Sequence, residues 1–133
     1  MKILSKLSFV LIILGFTYAN SNHGKRYQGG RTMYSSISID LNDDNTYYLS
    51  SWMHPARYRK DTGTWERINA HRIKLNSTVK TCFTPERGSS EKYYYLENQK
   101  CEITDSTLNF IPKKRKDRDF YRAYYSLRLK ESY

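Results

Sequence analysis

The sequence lacks three features that would classify it quickly. No window repeats apolar residues at the i, i+3, i+4, i+7 spacing of an amphipathic helix, so helix is expected to be scarce. The longest apolar stretch covers residues 7–19, whereas a membrane-spanning helix needs about 20 apolar residues. No Gly-x-Ser-x-Gly motif, glycine-rich phosphate loop or His-Glu-x-x-His motif is present. No sequence motif therefore indicates catalysis, and neither a cofactor nor a metal is predicted.

Cysteine is also scarce, and the two that occur are Cys82 and Cys101. A zinc site would need partners at a characteristic spacing, and the sequence contains neither a Cys-x-x-Cys nor a His-x-x-x-His pattern. In an oxidising compartment an even pair of cysteines is most simply a disulfide. The sequence therefore predicts a Cys82–Cys101 bridge.

The N-terminal residues have the pattern of an export signal. Two lysines precede the uncharged run Leu7–Phe16, and the small side chains Thr17 and Ala19 then satisfy the usual cleavage rule. The alternative is an uncleaved anchor, for which the run is short. We therefore predict a signal peptide over residues 1–19 and a secreted or periplasmic protein.

The remaining chain divides into a polar lead and one folded domain. Residues 20–34 are polar, contain glycine and show no periodicity, which predicts a flexible N-terminal arm. Residues 35–133 are enough for one domain with one modest core.

The first predicted hairpin has the clearest pattern in the chain. Ile37, Ile39 and Leu41 alternate with polar residues, which is typical of a half-buried strand. The turn-forming cluster Asn42–Asn45 follows, and then the aromatic and β-branched run Thr46–Met53. Two strands joined by a tight turn are therefore expected.

A second hairpin is predicted after a charged loop over residues 56–61. Its strands are Thr62–Ile68, in which Gly63 and Trp65 share a face, and Arg72–Asn76, in which Ile73 and Leu75 point inward. Three further strands are expected at Lys92–Glu97, Thr107–Ile111 and Phe120–Leu129.

About seven short strands with polar connections predict an all-β fold. Sequential hairpins form a small antiparallel meander, and closing that meander into a barrel removes the exposed edges. We therefore predict a barrel, with a β-sandwich as the alternative.

The order of these strands resembles the small secreted lipocalin-like β-barrel domains of bacteria. The resemblance covers about residues 35–76. It rests on Ile39-Asp40-Leu41, the Asn and Asp turn, Thr46-Tyr47-Tyr48, Gly63-Thr64-Trp65 and Ile73-Lys74-Leu75. A lipocalin has its Gly-x-Trp near the start of the first strand, whereas here it falls on the third predicted strand. The resemblance therefore implies a barrel, but it does not decide whether the barrel encloses a ligand.

The densest charge in the sequence lies between the last two predicted strands. This basic run consists of Lys113, Lys114, Arg115, Lys116 and Arg118. The whole chain has a formal net charge of +10. Such a run is most simply a solvated loop. Its functional interpretation is an anion-binding site for a polymer or a surface.

Two functions of different classes follow from these features. The first is a secreted, non-catalytic barrel module that binds a small ligand or an anionic surface or polymer. The thirteen tyrosines favour it, because tyrosine presents an apolar face and a polar tip to a ligand. The second is a small, basic, ribonuclease-like hydrolase that would use Glu66, His71 and either Arg67 or Arg72.

Overall fold

In the computed structural model of the protein, residues 23–55, 57–78, 91–93 and 96–133 are described. They contain nine β-strands, one turn of 3-10 helix and one short α-helix. The strands are β1 (Gly24–Gly29), β2 (Ser35–Asn42), β3 (Thr46–Met53), β4 (Arg57–Asn69), β5 (Arg72–Ser77), β6 (Glu91–Tyr93), β7 (Gln99–Ile103), β8 (Thr107–Phe110) and β9 (Ser126–Ser132). The 3-10 turn is η1 (Arg115–Asp117), and the helix α1 (Arg118–Tyr124) follows it directly.

Eight of the strands close into an antiparallel barrel. Neighbours in the barrel follow chain order from β1 to β5 and then β7, β8 and β9, and β9 pairs with β1 to complete the circuit. Strand β6 lies outside the circuit and pairs in parallel with the first half of β4. The predicted all-β meander barrel is thus confirmed, and the sandwich alternative is wrong.

The two ends of the barrel are built differently. One end, here called the hairpin end, carries the tight turns at residues 43–45, 70–71 and 104–106. The other, the helix end, carries residues 30–34, residues 54–55 and the segment 111–125 with its helix. The candidate site described below lies at the hairpin end.

Both predicted hairpins are present. In the first turn Asn45 adopts a left-handed φ of 65°, and Asp44 Oδ1 accepts a hydrogen bond of 3.0 Å from the Thr46 amide. These are the features that Asn and Asp favour in turns. In the second hairpin β4 is longer than expected, because residues 57–61 pair with β3. The predicted loop over residues 56–61 is therefore wrong for the part that the structure describes.

The predicted flexible arm over residues 20–34 is wrong for residues 24–29, which form β1. This strand pairs with β2 on one side and with β9 on the other. Most residues of this strand are polar or glycine, and the single buried side chain is that of Tyr27. Gly29 allows β9 to approach, since a Cβ atom there would lie 2.2 Å from the Ser126 carbonyl oxygen. A strand with one apolar side chain gives no alternating pattern for sequence analysis to detect.

The predicted strand Phe120–Leu129 is also wrong in its first half. Residues 118–124 form α1, and the strand begins only at Ser126. Four aromatic residues recur at a spacing of four, which places them along one side of a helix. They are Phe120, Tyr121, Tyr124 and Tyr125.

The remaining strands follow the predictions in part. Strand β8 confirms the strand expected at Thr107–Ile111. Of the strand expected at Lys92–Glu97, only residues 92–93 belong to β6. Strand β7 was not predicted, although Gln99, Cys101 and Ile103 alternate with exposed residues along it.

The buried apolar core is built from inward-facing side chains of seven of the eight barrel strands, and β4 adds the partly buried Trp65. Five of the six predicted core residues, Ile37, Ile39, Leu41, Ile73 and Leu75, are buried there. The sixth, Trp65, is partly buried and packs against the cluster. The predicted inward phase of both hairpins is thus correct.

Aromatic side chains close the helix end of the barrel. The ring of Tyr125 stacks on Phe110 at 5.3 Å between centroids and lies 5.0 Å from the ring of Tyr121. Both tyrosines pack against the buried core. The helix thus acts as an apolar plug, which leaves the hairpin end as the open side.

A polar network lies buried among the core residues. The Asp61 carboxylate oxygen Oδ2 accepts hydrogen bonds from the Tyr47 hydroxyl at 2.5 Å and from the Ser77 hydroxyl at 2.8 Å. The Leu96 amide donates to Ser77 Oγ at 2.7 Å. Burial raises the pKa of Asp61 despite the opposing effect of the Tyr47 and Ser77 hydrogen bonds. The network ties β3, β4, β5 and the chain before β7 together inside the barrel.

This network predicts that the stability contributed by Asp61 falls as the pH rises, whereas a carboxylate whose pKa is lowered by folding has the opposite effect. Because its pKa is raised by folding, Asp61 binds more protons in the folded than in the unfolded chain. It therefore stabilises the protein most in acid and loses this contribution as the pH rises through the folded pKa. Urea denaturation from pH 4 to pH 7 should show wild type losing stability relative to Asp61→Asn as the pH rises.

The control is Asp44, an exposed carboxylate whose pKa is lowered by its hydrogen bonds from Thr46. Between about pH 2 and pH 4, wild type should gain stability relative to Asp44→Asn as the pH rises, because here the folded chain binds fewer protons. A difference between wild type and Asp61→Asn that is independent of pH would contradict the assignment.

Candidate ligand-binding site

The hairpin end opens into a cleft of about 440 Å³. This volume lies within the range of roughly 300 to 1,000 Å³ that is typical of small-molecule sites. All three tight turns and the inner faces of four strands contribute to it. The cleft is lined by Lys25, Tyr27, Leu41, Asp43, Trp65, Arg67, Ala70, His71, Ile103, Thr104 and Asp105.

The most deeply buried residue of the cleft is Tyr27, which is 0% exposed. Its hydroxyl group is buried and has no hydrogen-bond partner among the described residues. Burial raises the pKa of Tyr27; the positive charge of Arg67 opposes this rise, and the negative charge of Asp105 adds to it. The hydroxyl thus keeps its proton at neutral pH and offers a hydrogen-bond donor at the base of the cleft.

The walls around Tyr27 are apolar. Leu41 and Ile103 are buried and face the interior from opposite sides of the barrel. The Trp65 indole is partly buried, and its Nε1 donates a 2.9 Å hydrogen bond to the Asn42 carbonyl oxygen. That bond fixes the orientation of the ring beside the cleft, because an indole has a single N–H donor.

The rim carries charges of both signs. Lys25 and Arg67 are cationic, Asp43 and Asp105 are anionic, and His71 lies in the turn between β4 and β5. None of the four charged groups forms an ion pair with another residue in the part of the chain that the structure describes. An apolar pocket with a buried donor and a charged rim is suited to an amphipathic molecule that brings its own polar groups.

The structure does not assemble the residues predicted for a hydrolase. Arg67 and His71 both line the cleft. Glu66 lies on the outer face of β4, where its carboxylate is 2.6 Å from Lys74 Nζ. Alternate residues of a strand point to opposite faces, so Glu66 is directed away from its neighbour Arg67. The structure therefore does not bring Glu66 together with His71, the pair that the alternative hydrolase would use.

The predicted anion-binding run lies at the other end of the molecule. The protruding loop expected between two strands is instead the turn η1 and the start of α1. Lys113 donates a 2.8 Å hydrogen bond from Nζ to the Glu97 carbonyl oxygen. The other four residues, Lys114, Arg115, Lys116 and Arg118, are exposed. The cations are thus solvated as expected, but on a helical segment.

The predicted disulfide involves one residue that the structure describes. Cys101 is fully buried in β7, and burial raises the pKa of its thiol. Cys82 lies outside the described residues, as does the predicted signal peptide over residues 1–19. Both features therefore stay predictions.

Two searches within the described ranges gave no additional site. No group of three or more His, Cys, Asp or Glu side chains there is placed to hold a metal ion. No helix in the same ranges is both long and apolar enough to cross a membrane.

Comparisons with protein-family models, curated proteins and solved structures found no match for this chain. The structure itself supports the barrel that the lipocalin-like resemblance implies. Membership of that family stays a prediction.

Sequence analysis missed most of the cleft. Lys25 and Tyr27 fell in the predicted flexible arm, Asp43 lay in the predicted turn of the first hairpin, and Asp105 was not singled out. The useful signal was the number of tyrosines, which exceeds what a small core needs. It could not show which tyrosine would be buried without a partner, because that depends on the closure of the barrel.

The unpartnered hydroxyl of Tyr27 predicts a stabilising substitution. A buried hydroxyl without a hydrogen bond costs about 1 to 3 kcal/mol. Tyr27→Phe should therefore raise the unfolding free energy by about 1 kcal/mol, as measured by chemical denaturation. The matched control is Tyr47→Phe, which removes a buried hydroxyl that donates to Asp61 and should destabilise the protein. If Tyr27→Phe is as destabilising as Tyr47→Phe, the hydroxyl of Tyr27 has a partner after all.

Proposed function

We propose that this protein is a ligand-binding barrel module whose site is the cleft at the hairpin end. The observation that carries the proposal is the Tyr27 hydroxyl, buried at the base of an open cleft with no partner among the described residues. Buried polar groups are almost always hydrogen-bonded in folded proteins. A donor without a partner at the base of a cleft is best explained by a ligand that supplies the acceptor.

The surroundings of Tyr27 indicate the chemistry of this ligand. Its inner part carries an oxygen acceptor, because the Tyr27 hydroxyl keeps its proton and the cationic Arg67 lies close enough to affect its pKa. Its body is apolar, to fit against Leu41, Trp65 and Ile103. The charged rim would contact the polar groups that stay in solvent. A small amphipathic molecule with a carboxylate, sulfonate or carbonyl group meets these requirements.

The proposal includes export from the cell. It is supported by the lysines, apolar run and small residues of the first nineteen positions. An oxidising destination would also permit a bridge between Cys82 and Cys101. In this proposal the protein is a secreted or periplasmic, lipocalin-like module without catalytic activity.

The test uses 8-anilino-1-naphthalenesulfonate as the probe, an amphipathic molecule whose aromatic rings carry one anionic sulfonate group. The chain has two tryptophans, so a Trp52→Phe background leaves Trp65 as the sole reporter of the cleft. The probe should bind with saturation and quench the emission of Trp65. Adding Tyr27→Phe should weaken the affinity by about three- to tenfold, the value of one hydrogen bond of about 1 kcal/mol.

Tyr48→Phe provides the control, because it removes a hydroxyl from an exposed tyrosine on the outer wall. It should leave both the affinity and the quenching unchanged. Equal affinities for the Tyr27→Phe and Tyr48→Phe proteins, or saturation without any change in Trp65 emission, would contradict the proposed site.

A further inference from the structure

We propose that the helix end of the barrel docks onto the surface of an anionic lipid bilayer. The docking surface, here called the helix-end patch, consists of Arg31, Met33, Tyr34, Phe120, Tyr124, Lys114 and the exposed cations of η1 and α1. It lies opposite the cleft and does not rest on the function proposed for that site.

The apolar part of the patch is unusually exposed. Met33 is 85% exposed, Tyr34 is 52% exposed and Phe120 is 48% exposed. The loop that carries the first two is held in place, since the Arg31 carbonyl oxygen accepts hydrogen bonds from the amides of Tyr34 at 2.9 Å and Ser35 at 2.8 Å. Met33 has a left-handed φ of 67°, which is uncommon for a side chain of this type. The tight turn thus presents a large apolar side chain to solvent.

Direct contacts join this loop to the helix. The Arg31 guanidinium lies over the Tyr34 ring, 4.8 Å from its centroid, and its Nη1 donates to the Tyr124 hydroxyl at 3.4 Å. The Tyr124 ring in turn stacks on Phe120 at 4.6 Å between centroids. The exposed aromatic rings therefore form one continuous surface across two segments that are distant in sequence.

The charge around this surface is strongly positive. Asp117 and Asp119 are the acidic residues of η1 and α1. Against these two stand the exposed cations Lys114, Arg115, Lys116, Arg118 and Arg122, besides Arg31 in the loop. These cations lie at the same end of the barrel as the aromatic rings, on or beside the segment that carries Phe120 and Tyr124.

A bilayer interface fits this combination better than a soluble polyanion does. Tyrosine is favoured at the level of the lipid headgroups, and cations near an anionic surface add attraction. Shallow insertion of apolar side chains supplies the second contribution to such binding. A polyanion would use the cations, but it offers no apolar phase for Met33. Docking by this end would leave the cleft at the hairpin end open to solvent.

The proposal is tested by measuring how much protein sediments with lipid vesicles. The protein used is the chain from residue 20 onward, without the predicted signal peptide. Vesicles of phosphatidylcholine alone are compared with vesicles that also contain phosphatidylglycerol. Binding should require the anionic lipid and should fall as salt is raised, because exposed charges are screened. A protein that binds both vesicles equally, or neither, overturns the proposal.

Two pairs of variants separate the apolar from the electrostatic contribution. Met33→Ser with Phe120→Ser should weaken vesicle binding by roughly tenfold or more, because insertion is lost. The matched control is Tyr48→Ser with Ile68→Ser, which removes side chains that are 40% and 46% exposed outside the patch. This control should bind within about twofold of wild type. If Phe120→Ser disturbs the fold, Met33→Ser alone makes the same test at the most exposed position.

The cations are tested by a quadruple change to glutamine, with heparin as a soluble polyanion for comparison. Changing Lys114, Arg115, Lys116 and Arg118 should lower vesicle binding by more than about tenfold. The control changes four exposed cations elsewhere on the barrel, Arg72, Lys100, Arg128 and Lys130. Equal losses in the two quadruple variants would show that net charge alone is responsible. A Met33→Ser, Phe120→Ser protein that binds vesicles like wild type, while the patch quadruple variant loses heparin, would assign the patch to a polyanion instead.

Discussion

The barrel closes because β1 hydrogen-bonds to β2 along one edge and to β9 along the other. Arg26 reinforces this seam on the outer surface, where its guanidinium contacts Asp40 of β2 at 2.6 Å and Glu131 of β9 at 2.8 Å. The hydrogen bond and charge of Asp40, and the charge of Glu131, together raise the pKa of Arg26. Without this strand the sheet would have two open edges, which proteins avoid because they invite aggregation. Closure also carries Tyr27 into the interior, so the seam and the candidate site depend on the same six residues.

Closure makes the two ends of the barrel different surfaces. The helix end is filled by aromatic rings that pack on the core, with cations and exposed apolar side chains around them. The hairpin end has no such plug, and its tight turns surround a cleft instead. Among the described residues, the buried polar groups between the two ends are the network around Asp61, Tyr47 and Ser77, the Tyr27 hydroxyl and the side chain of Gln99. Gln99 donates to two backbone carbonyl oxygens at 2.9 Å. Each proposed partner would thus approach a different end.

The sequence predicted those parts of the fold in which local pattern and burial agree. Alternation at Ile37, Ile39 and Leu41 and the turn at Asn42–Asn45 indicated the first hairpin with nearly correct bounds. The sequence of β1 contains one buried side chain, that of Tyr27, and two glycines, so its strand conformation depends on partners supplied by β2 and β9. The aromatic residues of α1 were assigned to a strand because tyrosine and phenylalanine favour strands. Their spacing of four residues was the better guide, since it matches the period of a helix.

The candidate site was less predictable than the fold for a physical reason. Its residues come from β1, the three tight turns and the ends of β4 and β7, and only closure brings them together. Composition did indicate that some tyrosine rings would lie outside the core or line a cavity, and that a basic run would stay solvated. It could not indicate that the basic run adjoins Met33 and Tyr34, because these segments meet only across the helix end.

The central claim is that a small ligand binds in the cleft at the hairpin end of the barrel. The most direct measurement is the change in backbone amide chemical shifts when 8-anilino-1-naphthalenesulfonate is added to the protein. Saturable shifts should concentrate at Lys25, Tyr27, Asp43, His71 and Asp105, and they should exceed any shifts of α1 and of residues 31–34. Shifts confined to the helix end, or spread evenly over both ends, would contradict this account.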